Sequence, residues 1–107
     1  MFELIYSRES LSPDQIYDLY YIGSGLDRVL IIELLNHVGQ ELRIPTEKIR
    51  PGDRFSIELA PKKGDEWDSG YGILLYELKR QAKKRKKVIS KPIDTVDDYL
   101  KAMSKVY

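Results

Sequence analysis

Hydrophobic residues recur at helical spacing along most of the chain. The clearest stretch runs from Leu26 to Leu42, and it follows the i, i+3, i+4, i+7 spacing of an amphipathic helix. Its apolar positions are Ile31, Leu34, Leu35, Val38 and Leu42. A second stripe of this kind comprises Tyr71, Leu74, Leu75, Leu78 and Ala82. Both patterns predict helices that bury one face, and we expect the second helix to fray within the lysines that follow Ala82.

A shorter helix is predicted near each end of the chain. Ser12 can cap a helix that starts at Pro13, with Gln15 reaching back to the cap, and we expect this helix to continue through about Tyr21. Its predicted inner face comprises Ile16, Leu19 and Tyr20. Asp94 or Thr95 can cap a last helix. The residues expected to face inward from that helix are Val96, Tyr99, Leu100 and Met103.

The segment between the two long helices is predicted to be a long loop. Pro45 and Pro51 each disfavour helical backbone in the residue before them, so an extended path with one turn is expected. Its apolar anchors into the core are Ile44, Ile49 and Phe55, with Leu59 closing the loop. Residues 60–68 are mostly polar. Such a segment is more often a solvated surface loop than a dedicated binding loop. The sequence thus predicts an all-α fold: three main helices, a short N-terminal helix and a long first loop. Residues 2–6 could form a short strand.

Composition limits the classes of protein and site. The chain has 107 residues, 42% of them hydrophobic, which suits one compact domain. It has no cysteine and a single histidine, His37, so disulfides are excluded and a zinc site would be poorly ligated. The acids Asp65, Glu66 and Asp68 are expected to be solvated, so we predict no metal site. No apolar run approaches the roughly 20 residues that cross a bilayer, and we expect a soluble, cytoplasmic protein without membrane contact.

Charge is distributed unevenly. Eight of the 18 basic residues lie between Lys79 and Lys91, which leaves ten basic residues against all 17 acidic ones in the rest of the chain. A concentrated cationic segment favours acidic or phosphate-rich surfaces, although a solvated helix end is the more common role. No aromatic residues interleave these lysines to stack on bases, and the acidic remainder would repel a polyanion. Nucleic acid is therefore not the expected partner.

The residues Trp67-Asp68-Ser69 before the second long helix, together with Asp94-Thr95-Val96 further on, resemble an acyl carrier protein. In that family a serine after an aspartate opens the second helix and carries a covalent 4'-phosphopantetheine arm, and the last helix begins with a Thr-Val pair. The resemblance covers residues 26–107 and leaves residues 1–25 as an N-terminal extension.

The resemblance also implies a function. It implies a helical bundle of the carrier type, with Ser69 as the attachment residue flanked by Asp68 and Gly70. It further implies a monomer without catalytic activity that serves a phosphopantetheinyl transferase and acyl-transfer or ligase enzymes, as in fatty acid or polyketide biosynthesis. The residues expected to contact these partners are Trp67, Tyr71, Lys79 and Lys83.

The position of Ser69 before a predicted helix is compatible with attachment of the arm and also with an ordinary capping role. A serine at a helix start is exposed, and a phosphodiester there lies near unpaired N–H groups and the positive end of the helix dipole. Ser69 or Asp68 could equally be an ordinary N-cap. The family favours an apolar residue where this chain has Gly70, and an acidic second helix where this chain turns basic at Lys79. The alternative function is therefore a carrier-fold interaction module without the arm, which binds an acidic protein or nucleic acid through residues 79–91.

Overall fold

Four α-helices and one short 3-10 turn make up the regular structure of residues 7–55, 70–89 and 92–106, the ranges that the computed structural model describes. The helices are α1 (Pro13–Tyr20), α2 (Arg28–Leu42), α3 (Gly70–Lys84) and α4 (Val96–Val106), and the 3-10 turn is Thr46–Lys48. The predicted all-α bundle is confirmed. The strand considered for residues 2–6 lies outside the described ranges.

Helix α2 is the centre of the bundle, packing against α1, α3, α4 and the 3-10 turn. Its predicted inner residues Ile31, Leu34, Leu35 and Val38 are buried, and Leu42 is partly buried. The helix begins after Asp27, whose carboxylate accepts a hydrogen bond from the Leu30 N–H at 2.8 Å. It ends where Arg43 adopts a left-handed conformation and the Ile44 N–H donates back to the Gly39 carbonyl at 2.9 Å.

Helix α1 starts as predicted but buries a different face. The Ser12 hydroxyl accepts from the Gln15 N–H at 3.2 Å, and the Gln15 side chain accepts from the Ser12 N–H at 2.8 Å. The predicted inner residues Leu19 and Tyr20 are 64% and 51% exposed, while Tyr17 and Tyr21 are buried beside Ile16. The reason is that the hydroxyls of Tyr17 and Tyr21 have acceptors, so these large rings can enter the core at no cost in hydrogen bonding.

The long loop between α2 and α3 has the predicted anchors. Ile44, Ile49 and Phe55 are buried. Its backbone also holds the start of α4, because the first N–H groups of a helix need acceptors from outside that helix. The Val96 N–H donates to the Asp53 carbonyl at 3.0 Å, and the Asp97 N–H donates to the Pro51 carbonyl at 2.9 Å. Leu59 and the rest of residues 56–69 lie outside the described ranges.

Helix α4 is capped by Thr95, one of the two predicted caps. The Thr95 hydroxyl accepts from the Asp98 N–H at 3.1 Å, and the Asp98 carboxylate accepts from the Thr95 N–H at 3.0 Å. Burial alone would raise the pKa of Asp98, but the N–H groups of Thr95 and Asp94 outweigh it and lower that pKa below its ordinary value. The four residues predicted to face inward are all buried, and Val106 joins them.

Helix α3 ends within the run of lysines, as expected, and its last residues form an ordered turn. The helix continues to Lys84, and Lys86 then adopts a left-handed conformation with φ of 57°. The Lys87 N–H donates to the Ala82 carbonyl at 2.8 Å, and the Lys86 N–H donates to the Lys83 carbonyl at 3.2 Å. These two bonds form a Schellman motif, which satisfies carbonyls that a helix end otherwise leaves without partners.

Candidate functional site

The candidate site is the N-terminal end of α3. The helix begins at Gly70, the residue that follows Ser69 in the chain. The positive end of the α3 dipole therefore lies at Gly70. Trp67, Asp68 and Ser69 lie outside the described residues, and so does the side chain of Tyr71.

One long side of α3 is open to solvent. Of the predicted stripe, Leu74, Leu78 and Ala82 are buried and Leu75 is partly buried, while the side chain of Tyr71 is outside the described part. On the other side lies a surface that we name the α3 outer face. It comprises Ile73, Tyr76, Lys79, Arg80 and Lys83, all of them exposed.

The α3 outer face changes character along the helix. Ile73 and Tyr76 are 46% and 66% exposed, so the half nearer Gly70 presents apolar and aromatic surface. The half farther from Gly70 is cationic, and only Arg80 has an ion-pair partner there among the described residues, Glu77 at 3.2 Å. Lys79 and Lys83, predicted from the sequence as partner contacts, thus lie on one exposed surface with the two apolar side chains.

The loop that leads toward the site is fixed by an ion pair that the sequence patterns did not reveal. The Arg8 guanidinium donates to both carboxylate oxygens of Asp53, each at 2.7 Å. Asp53 is 3% exposed, and its carboxylate also accepts the Arg50 N–H at 2.8 Å. Arg8 donates further to the Lys48 carbonyl at 3.0 Å. The segment before α1 is thereby joined to the loop that holds α4.

No local motif could have identified this ion pair. Arg8 and Asp53 are 45 residues apart, and neither belongs to a recognisable spacing. The signal available in the sequence was only an acid beside a glycine in a loop, which is more often solvated than buried.

A second cluster of polar side chains joins the C-terminal end of α1 to α4. The Tyr21 hydroxyl donates to one carboxylate oxygen of Asp97 at 2.7 Å, and the Lys101 ammonium lies 3.0 Å from the other. Burial of the Tyr21 ring raises the pKa of its hydroxyl, and the hydrogen bond to Asp97 with the negative charge on that residue raises it further. The pKa of Tyr21 therefore lies well above the ordinary value for tyrosine.

This raised pKa predicts a specific loss of stability in alkali. Because the folded pKa exceeds the unfolded value of about 10, the stabilisation is complete below that pH and is lost as the pH rises above it. Between about pH 10 and pH 11 the free energy of unfolding of wild type should fall more steeply than that of Tyr21→Phe, as measured by urea denaturation. Tyr20→Phe is the matched control, since Tyr20 is 51% exposed. Equal slopes for wild type and Tyr21→Phe would contradict the prediction.

Within the described ranges, no three residues of the types that bind metals come together, and no helix is long and apolar enough to cross a membrane. The acids Asp65, Glu66 and Asp68, which the sequence analysis expected to be solvated, lie outside those ranges. His37 lies on α2 and is partly exposed.

Comparison with protein-family models, with curated proteins and with solved structures gives no match for this chain.

Proposed function

We propose that this protein is a carrier that holds acyl or aminoacyl groups as thioesters on a 4'-phosphopantetheine arm attached to Ser69. The observation that carries the proposal is that α3 begins at Gly70, directly after the Asp68-Ser69 pair in the chain. A hydroxyl at the N-terminus of a helix is accessible to a modifying enzyme, and the negative phosphodiester formed there is stabilised by the helix dipole.

The order of elements around this position gives further support. Helix α2 is followed by a loop with three buried anchors, then by α3 after an Asp-Ser pair, and then by α4 after the Thr95 cap. The resemblance to acyl carrier proteins rests on the same order. The arm supplies a terminal thiol for the thioester, and this chain needs to supply only the accessible serine hydroxyl and a docking surface.

The α3 outer face is the docking surface in this proposal. Its exposed Ile73 and Tyr76 suit an apolar depression on a partner enzyme, and its lysines suit acidic residues around that depression. Because the face is cationic where carriers of the family are acidic, the partner enzymes should carry acidic docking sites. The surface thus selects a set of enzymes different from those that serve acidic carriers.

The cationic segment also favours a second candidate function, an interaction module without the arm. Lys83, Lys84, Arg85, Lys86 and Lys87 are all exposed, so this segment is available to an acidic protein surface whether or not Ser69 is modified. The two candidates differ in whether Ser69 accepts the arm.

The experiment that tests the proposal is enzymatic loading. Apo protein is incubated with coenzyme A and a broad-specificity phosphopantetheinyl transferase, and intact masses are then measured. Wild type should gain the mass of one phosphopantetheine group, and Ser69→Ala should gain none. Ser7→Ala, which removes another serine, should load like wild type.

Folding is checked on each protein by circular dichroism, so that a failure to load is not confused with unfolding. Folded wild type that stays at its apo mass would overturn the carrier proposal in favour of the interaction module. Loading of Ser69→Ala would show that the arm is attached elsewhere.

A further inference from the structure

A cleft with a volume of about 780 Å³ opens at the far end of α3 from Gly70. Its walls are the Ser24–Leu26 turn, the residues Lys87–Ile89 that follow α3, and the side of α4 that faces them. Helix α3 has 15 residues, so about 22 Å of helix separates this cleft from the proposed attachment point. The cleft is therefore distinct from the site at Ser69.

The lining of the cleft combines apolar side chains with lysines. The apolar part includes Leu26, Ile89, Ile93 and Ala102, each of which also packs against the hydrophobic core. The charged part comprises Lys87, Lys101 and Lys105 together with Asp97 and Asp98. A concave volume of this size, lined by both apolar and charged side chains, is large enough for a small molecule with an apolar and a charged part.

The two acids in the lining are already engaged by the protein. Asp97 accepts from Tyr21 and pairs with Lys101, and Asp98 accepts the N–H groups at the start of α4. Neither Lys87 nor Lys105 forms an ion pair with any residue in the described part of the chain. A ligand in the cleft therefore meets two ammonium groups whose charge is not neutralised locally, which favours an anion.

The walls are held in place without a ligand. The Tyr17 hydroxyl donates to the Leu26 carbonyl, and the Ser24 N–H donates to the Tyr21 carbonyl at 3.0 Å. Gly23 and Gly25 both have positive φ, which lets the turn adopt its shape. On the opposite wall the bond from the Lys87 N–H to the Ala82 carbonyl fixes the chain after α3. A cleft formed in advance loses less conformational entropy on binding.

We infer that this cleft binds a small anionic amphiphile, a molecule with a carboxylate or phosphate head and a hydrocarbon tail. The head lies between Lys87 and Lys105, and the tail lies along Leu26, Ile89 and Ala102. Binding is non-covalent and does not require the arm at Ser69.

The inference is tested on Ser69→Ala protein, so that the result does not depend on the proposed carrier function. Decanoate and monodecyl phosphate are titrated below their micelle concentrations and followed by two-dimensional NMR of the backbone amides. Decyltrimethylammonium, with a similar tail and the opposite charge, is titrated in parallel. We expect saturable shifts at Leu26, Ile89 and Ala102 with at least one anion, and none with the cation; the affinity of the two anions identifies the preferred head group.

Two variants locate the site. Lys87→Gln/Lys105→Gln should weaken binding of the anion by about tenfold, because two charge-assisted contacts are lost. Ala102→Trp should abolish binding by filling the cleft. The matched control is Lys84→Gln/Lys86→Gln, which removes two nearby exposed cations that do not line the cleft and should leave the affinity unchanged.

Three results would overturn the inference. They are the absence of saturable shifts at the cleft with either anion, binding of the cation as tight as that of the anions, and equal weakening by the control and the cleft variants. In the first of these cases, shifts of the cleft amides with hexaglutamate would identify an acidic peptide as the ligand instead. Dispersed NMR spectra establish that each variant is folded.

Discussion

Replacement of Asp53 by alanine is expected to lower the free energy of unfolding by about 3 kcal/mol, the lower end of the range for breaking a buried ion pair. The carboxylate is almost fully buried and accepts from Arg8 and from the Arg50 N–H, so its removal leaves both donors without this acceptor. The Arg8 side chain is 26% exposed and can be rehydrated in part, which keeps the cost at that lower end.

Urea denaturation followed by circular dichroism measures this effect. The matched control is Glu77→Ala, which removes an exposed ion pair with Arg80 on α3 and should change the free energy of unfolding by less than about 0.5 kcal/mol. A double-mutant cycle with Arg8→Ala should give a coupling energy of at least about 1 kcal/mol. Losses of similar size for Asp53→Ala and Glu77→Ala would show that the ion pair does not hold the loop.

The second large effect is expected at Gly39, in the last turn of α2. A Cβ atom added there would lie 2.7 Å from the Thr46 hydroxyl oxygen and 2.8 Å from the Ile44 carbonyl oxygen. The carbonyl belongs to the backbone of the turn that ends α2 and cannot move away cheaply, so Gly39→Ala should cost about 2 kcal/mol despite the better helix propensity of alanine.

Gly72→Ala is the matched control for this substitution. Gly72 is also helical, but no atom of the described residues lies within 4 Å of the position that its Cβ would occupy. Alanine there should therefore raise the free energy of unfolding, by up to about 1 kcal/mol. Opposite signs for the two variants in urea denaturation are the expected result, and stabilisation by Gly39→Ala would contradict the close approach of loop and helix.

The helices could be predicted because their determinants are local. The stripe from Ile31 to Val38 repeats at helical spacing, and the caps at Ser12 and Thr95 act within four residues of themselves. The prediction was wrong about the buried face of α1, where Tyr17 and Tyr21 replaced Leu19 and Tyr20. That choice depended on hydroxyl acceptors outside the helix, the Leu26 carbonyl and the Asp97 carboxylate.

Only part of the candidate site could be predicted from the sequence. The exposure of the lysines at positions 79 and 83 follows from the apolar stripe of α3, because that stripe decides which side of the helix turns to solvent. The attachment of an arm at Ser69 stays a prediction. The cleft was not predictable, since its walls come from three segments that no sequence pattern relates to one another.

Local sequence patterns predict the four helices, the caps at Ser12 and Thr95 and most of the buried positions, because hydrophobic periodicity and capping depend on residues a few positions apart. Three contacts appear only in the folded chain: the ion pair of Arg8 with Asp53, the hydrogen bond of Tyr21 to Asp97, and the close approach of the loop after α2 to Gly39. These contacts join residues brought together by packing, and their energies depend on burial and exact distance. Neither quantity is expressed in the local order of amino acids.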